Sequence, residues 1–444
     1  MRLKYPDNPD KFMESESELD EQIKSLSALS AQPQAYPDFV KAGCVNYLVQ
    51  LLAHENTDIA IDALEVIDEL TGEDVEASDE QMQAIIGAIG EAQVLDLMVD
   101  NLDRLDEFEN KSDQQGVYYT LSVLENIASG DPALAVTAFT DTSILSWLLN
   151  RLMIKEKQLV SQNKQYSAEI LSIYINISLK LKILFLEKEG MECVLKLLSP
   201  YRNRDPEKGS DEEEYAENLF DILSSVVEIR KGKEALLQAE GVELLLIMLR
   251  QGKFSKTRAL KCLDHACAGK FGLGICQRVV EAGGLKPLFH MFMNKSDFEI
   301  LEHLLGIFSS CLRHLPIDSV ARIRFVAKFE EKEHQKIDRL LAVRKIFDER
   351  VKIVDTEIAR ERAASTAEKD EERAPEWYLR RVEAGLYVIR VIDIILAWLC
   401  AENDETKAKV QALLKVDNGK SLSLVRDSLK RKLRRYVLQC YIWF

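Results

Sequence analysis

The sequence predicts an all-α chain folded as a solenoid, and three observations carry that prediction. An apolar signature recurs at near-constant spacing, Gly and Pro are scarce (19 and 10 of 444 residues), and no long stretch alternates apolar with polar residues. The signature is an anchor residue followed by apolar side chains at offsets 1, 4, 5, 7 and 8. After Cys44 these are Val45, Leu48, Val49, Leu51 and Leu52; after Gly190, Met191, Val194, Leu195, Leu197 and Leu198. After Gly241 they are Val242, Leu245, Leu246, Met248 and Leu249; after Gly284, Leu285, Leu288, Phe289, Met291 and Phe292. Weaker copies follow Gln93 (Val94, Leu97, Met98) and Ser143 (Ile144, Trp147, Leu148). The anchors lie 49, 50, 47, 51 and 43 residues apart, slightly longer on average than the roughly 40–47 residues of armadillo and HEAT units. Each copy is an amphipathic helix whose apolar stripe is too wide to leave in water, and stacking neighbours buries it. The expected architecture is an all-α, right-handed superhelical solenoid of armadillo/HEAT-type repeats. A strand–helix alternation would need β-branched runs closed by Gly-rich turns, and these are missing.

The elements follow in order. Residues 1–40 read as an extended, proline-bearing segment and a capping helix, with Ser15 or Ser17 as its cap and Leu19, Ile23 and Leu26 as its inner face. Residues 41–361 read as the repeat array, with breaks at Gly72–Asp79, Gly130–Pro132, Pro200–Ser210 and Gly252–Ser255. The acidic run Asp211–Glu214 suits a helix N-terminus, whose dipole end is positive. The array closes on a long charged helix from Ala327 to Glu361, with Ile337, Leu340, Leu341, Ile346 and Phe347 inward. Residues 362–375 hold no apolar side chain larger than alanine and read as a charged linker. Residues 376–444 read as a helical cap, in which Leu422, Val425, Leu429, Leu433 and Val437 step at helical intervals. The basic cluster Lys430–Arg435 is either an import signal or the polar face of that capping helix.

The net charge of −16 is unevenly spread. Residues 1–110 hold 26 Asp and Glu against 6 Lys and Arg, a net of −20, so the rest of the chain is slightly basic. Two acidic sets fall at helical spacing: Asp62, Glu65 and Glu69, and Asp96, Asp100, Asp103 and Glu107. Like charges so placed cost a helix a few tenths of a kcal/mol per pair. The gain is a negative field that captures basic ligands. The sets are either solvated faces or a docking surface for basic peptides. Direct binding of nucleic acid is disfavoured, because phosphates meet the same repulsion.

No constellation for chemistry stands out, and no cofactor is expected. The six histidines make no metal spacing, and the eight cysteines contain no CxxC pair and read as reduced structural thiols. Asp264 and His265 are adjacent on a helix and point about 100° apart, so a structural hydrogen bond across repeats is expected instead of a catalytic dyad. The stretch Gly269–Gly274 lacks the strand–loop–helix setting of a nucleotide loop. The chain opens on polar residues, and its most apolar segment, Gly385–Cys400, contains Arg390 and Asp393 and reads as too short to cross a bilayer. No tryptophan has an asparagine four positions on, which argues against a nuclear-import carrier.

One resemblance accounts for residues that pattern alone does not. The opening RLKYPDNPDKFMESESELDEQI (2–23) closely resembles the corresponding segment of the beta-catenin-like protein 1 family, and further matching blocks are ENLFD (217–221), ALKCLDHA (259–266), KIDRL (336–340) and YLRRVEAGLYVI (378–389). The resemblance implies a nuclear, non-catalytic armadillo-like scaffold linked to the spliceosome through the NineTeen complex. It also implies binding of Lys/Arg-rich nuclear-localisation segments of splicing proteins, notably the Myb-like cell-division-cycle protein of that complex. Family members usually carry an N-terminal arm ahead of the first block, and their tails differ from the residues after about 420. A homo-oligomer is possible. The alternative is an armadillo-type cytosolic or nuclear signalling or transport adaptor binding other peptides.

Overall fold

The computed structural model describes residues 12–156, 160–294, 297–363, 367–416 and Leu422. Among them there are helices and no strand. Eighteen α-helices fall into six sequential triplets: α1 (Met13–Ser25), α2 (Tyr36–Lys41) and α3 (Cys44–Gln50); α4 (Thr57–Thr71), α5 (Asp79–Glu91) and α6 (Val94–Leu102); α7 (Lys111–Gly130), α8 (Pro132–Asp141) and α9 (Ile144–Met153). Then come α10 (Gln162–Ile177), α11 (Leu179–Glu187) and α12 (Gly190–Leu198); α13 (Asp211–Val226), α14 (Arg230–Gln238) and α15 (Gly241–Gln251); α16 (Phe254–Cys267), α17 (Leu273–Glu281) and α18 (Leu285–Met293). The described residues continue through α19 (Phe298–His314), α20 (Val320–Ala363), α21 (Ala367–Arg381), α22 (Tyr387–Glu402) and α23 (Asp404–Val416). All six signatures are the third helix of their triplet, and the four expected breaks fall between helices. This is an armadillo-type helical-repeat fold.

The turn into the third helix has a recurring cause. A left-handed residue stands just ahead of five of the six: Gly43 (φ 72°), Gln93 (60°), Glu189 (59°), Glu240 (54°) and Gly283 (75°). Such a residue ends one helix and redirects the chain into the next. The anchor glycine meets a second demand, close approach. A Cβ on Gly190 would stand 2.2 Å from the Phe185 ring, so only a bare backbone fits there.

The chain divides into two compact units, residues 1–200 with 206–226, and 201–205 with 227–444. In the first, α1, α4, α7, α10 and α13 pack side by side as a ladder. Its core is aliphatic, with Leu64, Ile67, Leu121, Leu124, Leu171, Ile175 and Leu219 fully buried. In the second, α16, α19 and α22 make the corresponding ladder, and α20 packs along α17, α18, α22 and α23. Its core is aromatic: Phe289 stacks on Phe308 at 4.5 Å between ring centres, and Phe325 and Phe329 meet that pair edge-on or tilted.

Several expectations change. Helix α1 has Phe12 at its cap with no side-chain bond, and the Ser15 hydroxyl donates to the Phe12 carbonyl instead. The long helix starts earlier, at Val320, and is interrupted where Glu331 turns extended and Lys332, Glu333 and His334 are left-handed. That break lets Phe325 and Phe329 before it and Ile337 and Leu340 after it all reach the core. Residues 367–375, expected within a linker, belong to helix α21. Here Arg373 and Arg380 pair with Glu361 at 2.9 and 2.8 Å, and Trp377 Nε1 donates to the same carboxylate. The apolar segment 385–400 lies in a helix running from Glu372 to Glu402, which is long and apolar enough to cross a membrane. Expected to be too short, it is lengthened by the segment before it, which joins it through a π turn at Val382–Leu386 where Gly385 leaves the helical region at φ 105°. Here 56% of its apolar window is buried inside the protein, and Asp393 is fully buried against Arg344. The expected terminal stripe and the Lys430–Arg435 cluster lie outside the described residues, apart from Leu422.

Candidate interaction face

The first unit's ladder presents a band of carboxylates, and its geometry repeats from helix to helix. Tyr119 on α7 donates its hydroxyl to Glu65 on α4; Tyr166 on α10 donates in the same way to Glu125 on α7. Tyr118 sits between them, 6.1 Å from the Tyr119 ring and 5.3 Å from the Tyr166 ring. One turn along, buried Asn126 donates to the Asp68 carboxylate and to Thr71 Oγ1, both at 3.0 Å. Gln165 donates to Glu169 at 2.9 Å, and Ser225 on α13 donates to Asn176 on α10 at 2.6 Å.

The electrostatics follow from the donors. Phenols and amides satisfy the oxygens of Glu65, Asp68, Glu125 and Glu169 without cancelling their charge. Burial raises the Glu169 carboxyl above the usual range, and the Glu125 and Glu214 carboxylates raise it further. Burial likewise raises Asp68, with Glu69 and Glu125 adding to it. The Tyr119 and Tyr166 phenols are pushed up by burial and by their carboxylate partners, so they stay protonated donors. Neighbouring carboxylates that add to the burial of Asp68 and Glu169 mark a place where added positive charge is favoured.

The residues singled out from the sequence separate into different settings. Glu65 belongs to the band and Glu69 is exposed beside it. Asp62, on the same helix, turns instead toward α1, where Lys24 Nζ lies 2.6 Å from Asp20 and 3.4 Å from Asp62. Burial, reinforced by the Asp20 carboxyl, pushes Asp62 up to about 7. Asp96, Asp100 and Asp103 are exposed on and just after α6. Glu107 does not continue that ridge. Helix α6 ends at Leu102, where the Arg104 guanidinium reaches back to the carbonyls of His54 (2.8 Å) and Leu52 (3.2 Å). Beyond that turn Glu107 is buried against Arg151, 3.0 Å from its Nη2, with Glu156 at 2.7 Å on the same guanidinium. The expected acidic end is thus two surfaces on different helices, and only one carries the phenol-lined band.

Asp68, Glu125, Glu169, Glu214 and the three tyrosines were missed. Their only sequence signal is an acid or phenol at a matching place in successive first helices of the triplets, which needs the helix register to be known.

Among the described residues no group of three or more His, Cys, Asp and Glu could hold a metal ion. Asp264 pairs with His303 at 3.0 Å across α16 and α19, the bond between helices expected, and His265 meets Glu228, in the turn after α13, at 3.3 Å. The described cysteines are free thiols; burial pushes Cys193 up to about 11.

The chain is similar to an Arm-motif family, which agrees with this fold. Residues 1–430 match the model of the family described as catenin-beta-like, Arm-motif containing nuclear. A Schizosaccharomyces pombe protein named Beta-catenin-like protein 1 homolog is 37% identical over 436 residues, covering 98% of this chain and 75% of that protein. Human Beta-catenin-like protein 1 is 34% identical over 446 residues, covering 97% and 77%. Among solved structures, a designed armadillo repeat protein is 17% identical at a TM-score of 0.44, covering 60% of this chain and 99% of its own.

Proposed function

The chain belongs to the catenin-beta-like family of armadillo-motif nuclear proteins, and from that membership we propose a non-catalytic nuclear scaffold of pre-mRNA splicing. In this reading it works with the NineTeen complex and holds Lys/Arg-rich, nuclear-localisation-type segments of splicing proteins, the Myb-like cell-division-cycle protein among them. The observation that carries the reading is the band of carboxylates on α4, α7 and α10 whose donors are uncharged, with Glu214 on α13 beside it. An extended basic peptide laid across those helices places ammonium and guanidinium groups near Glu65, Glu125, Glu169 and Glu214. The tyrosine rings offer it cation–π faces.

The test compares the two acidic surfaces. One variant carries Glu65→Gln, Glu125→Gln and Glu169→Gln, which keep acceptors for both phenols; the other carries Asp96→Asn, Asp100→Asn and Asp103→Asn. A Lys/Arg-rich peptide is titrated against each at low and high salt. The first variant loses about tenfold or more in affinity, about 1.4 kcal/mol, and its salt dependence flattens. Loss confined to the second variant moves docking to α6. Unchanged affinity and salt dependence in both rejects acidic docking.

A further inference from the structure

A cleft of about 1140 Å³ opens at the N-terminal ends of α7 and α10, two of the helices that carry the band. Its walls are the connections ahead of those helices, residues 107–110 on one side and 154–156 with 160 and 161 on the other. Arg151, only 2% exposed, ties the walls together. Its Nη2 donates to Glu107 at 3.0 Å, to Glu156 at 2.7 Å and to Ser161 Oγ at 3.1 Å. Asn163 braces the same corner, donating to Glu107 at 3.1 Å and to the Gln114 carbonyl at 2.9 Å. On this fixed frame stand Phe108 and Ile154, 53% and 41% exposed, and Val160 lines the cleft with them. Single exposed apolar side chains are ordinary, but several lining one cleft mark a place for a partner. The ionisable lining balances, Glu107, Glu109 and Glu156 against Lys111, Arg151 and Lys155, so charge does not select the occupant.

We propose that this cleft anchors a large aliphatic or aromatic side chain of the same Lys/Arg-rich segment that the band attracts. The inference rests on that docking and adds an uncharged determinant to it. The two places share their helices. Gln114 lines the cleft, and Glu125 lies eleven residues further along α7, about 16 Å at 1.5 Å per residue. Ser161 lines it too, and Glu169 lies eight residues further along α10, about 12 Å. The rings of Tyr118 and Tyr166, 5.3 Å apart, belong to the stretch between. An extended chain advances about 3.3 Å per residue, so the anchor falls about four or five residues from the nearest base on the band. Arg151 adds a polar contact. Its Nη1 is buried and has no hydrogen-bond partner among the described residues, and its guanidinium carbon lies 5.1 Å from the Phe108 ring centre. An occupant that shifts this exposed ring gives the buried donor a backbone carbonyl to meet.

The test titrates the full chain with three labelled peptides that share one Lys/Arg run. One carries phenylalanine about five residues before the run, one carries it about five residues after, and one has alanine at both places. Fluorescence anisotropy at low and high salt gives the affinities. Expected is a gain of about tenfold for one phenylalanine peptide over the alanine peptide, kept at high salt because apolar contact is not screened. Phe108→Ser with Ile154→Ser brings that peptide down to the level of the alanine peptide. If the alanine peptide binds and neither phenylalanine improves it, the anchor is overturned while docking on the band stands. A gain that survives the double substitution also overturns the anchor, because the contact then lies elsewhere. Binding of none of the three overturns both.

Discussion

The two units use the same helix packing, but the carboxylate band of the first faces different partners from the paired acids of the second. In the first, Glu65, Glu125, Asp68 and Glu169 face phenols and amides, so their charge remains. In the second, Asp393 faces Arg344 at 2.7 Å, Asp264 faces His303 and Glu228 faces His265. Apolar positions set the stacking in both, while the residue opposite each acid decides whether the surface keeps a field. In the proposed reading the field that captures cations belongs to this band, while Glu107 in the same unit is already paired with Arg151.

The largest expected effect tests the second half of that contrast. Asp393 is fully buried, and Arg344→Met removes the guanidinium that meets it at 2.7 Å, which costs about 3–5 kcal/mol. Denaturant unfolding measures it, and Arg344→Met with Asp393→Leu recovers most of the loss. The parallel cut in the first unit is Tyr166→Phe. Glu125 is only partly buried and keeps contact with water, so the cost stays near 1 kcal/mol. Equal costs for the two cuts would erase the distinction between the units.

A pH profile sharpens it further. Asp62 lies near Asp20, Lys24, Glu16 and Asp58, and its carboxyl is raised to about 7 in the folded chain, against about 3.9 unfolded. A raised carboxyl contributes stability that is complete below the unfolded value and is lost as pH rises through the folded one. Asp20 is lowered and titrates below this window. Thermal stability of the α1–α4 contact therefore falls between about pH 4 and 7, and Asp62→Asn flattens the profile and raises Tm at pH 8. An unchanged profile in Asp62→Asn would assign the pH dependence elsewhere.

What the sequence disclosed follows from where the determining information sits. Signature helices such as Gly190–Leu198 were legible because their apolar positions are close together along the chain. Ridge Asp96–Asp103 was legible for the same reason, and Glu107 failed because Arg104 pulls the chain off its helical path. The band itself was not legible. Glu125 and Glu169 are 44 residues apart, and they become neighbours only through the register of α7 on α10, which interdigitating side chains set. Likewise the break at Lys332–His334 lies in a charged run with good helix propensity, and it is imposed by what both flanking segments bury.

The smallest expected effect asks whether the units share their fold device as fully as their packing indicates. Glu189 in the first and Glu240 in the second hold the same left-handed turn, at φ 59° and 54°, with a side chain that disfavours it by roughly 1–2 kcal/mol. Glycine removes that cost but gives the unfolded chain more freedom, so Glu189→Gly and Glu240→Gly each gain about 0.5 kcal/mol, read as a small rise in unfolding midpoint. Matching gains mean that the turn is generic and that the units differ only in what faces their acids. A gain in one and a loss in the other would mean that the glutamate carries a local contact, and that the difference between the units extends into the turns themselves.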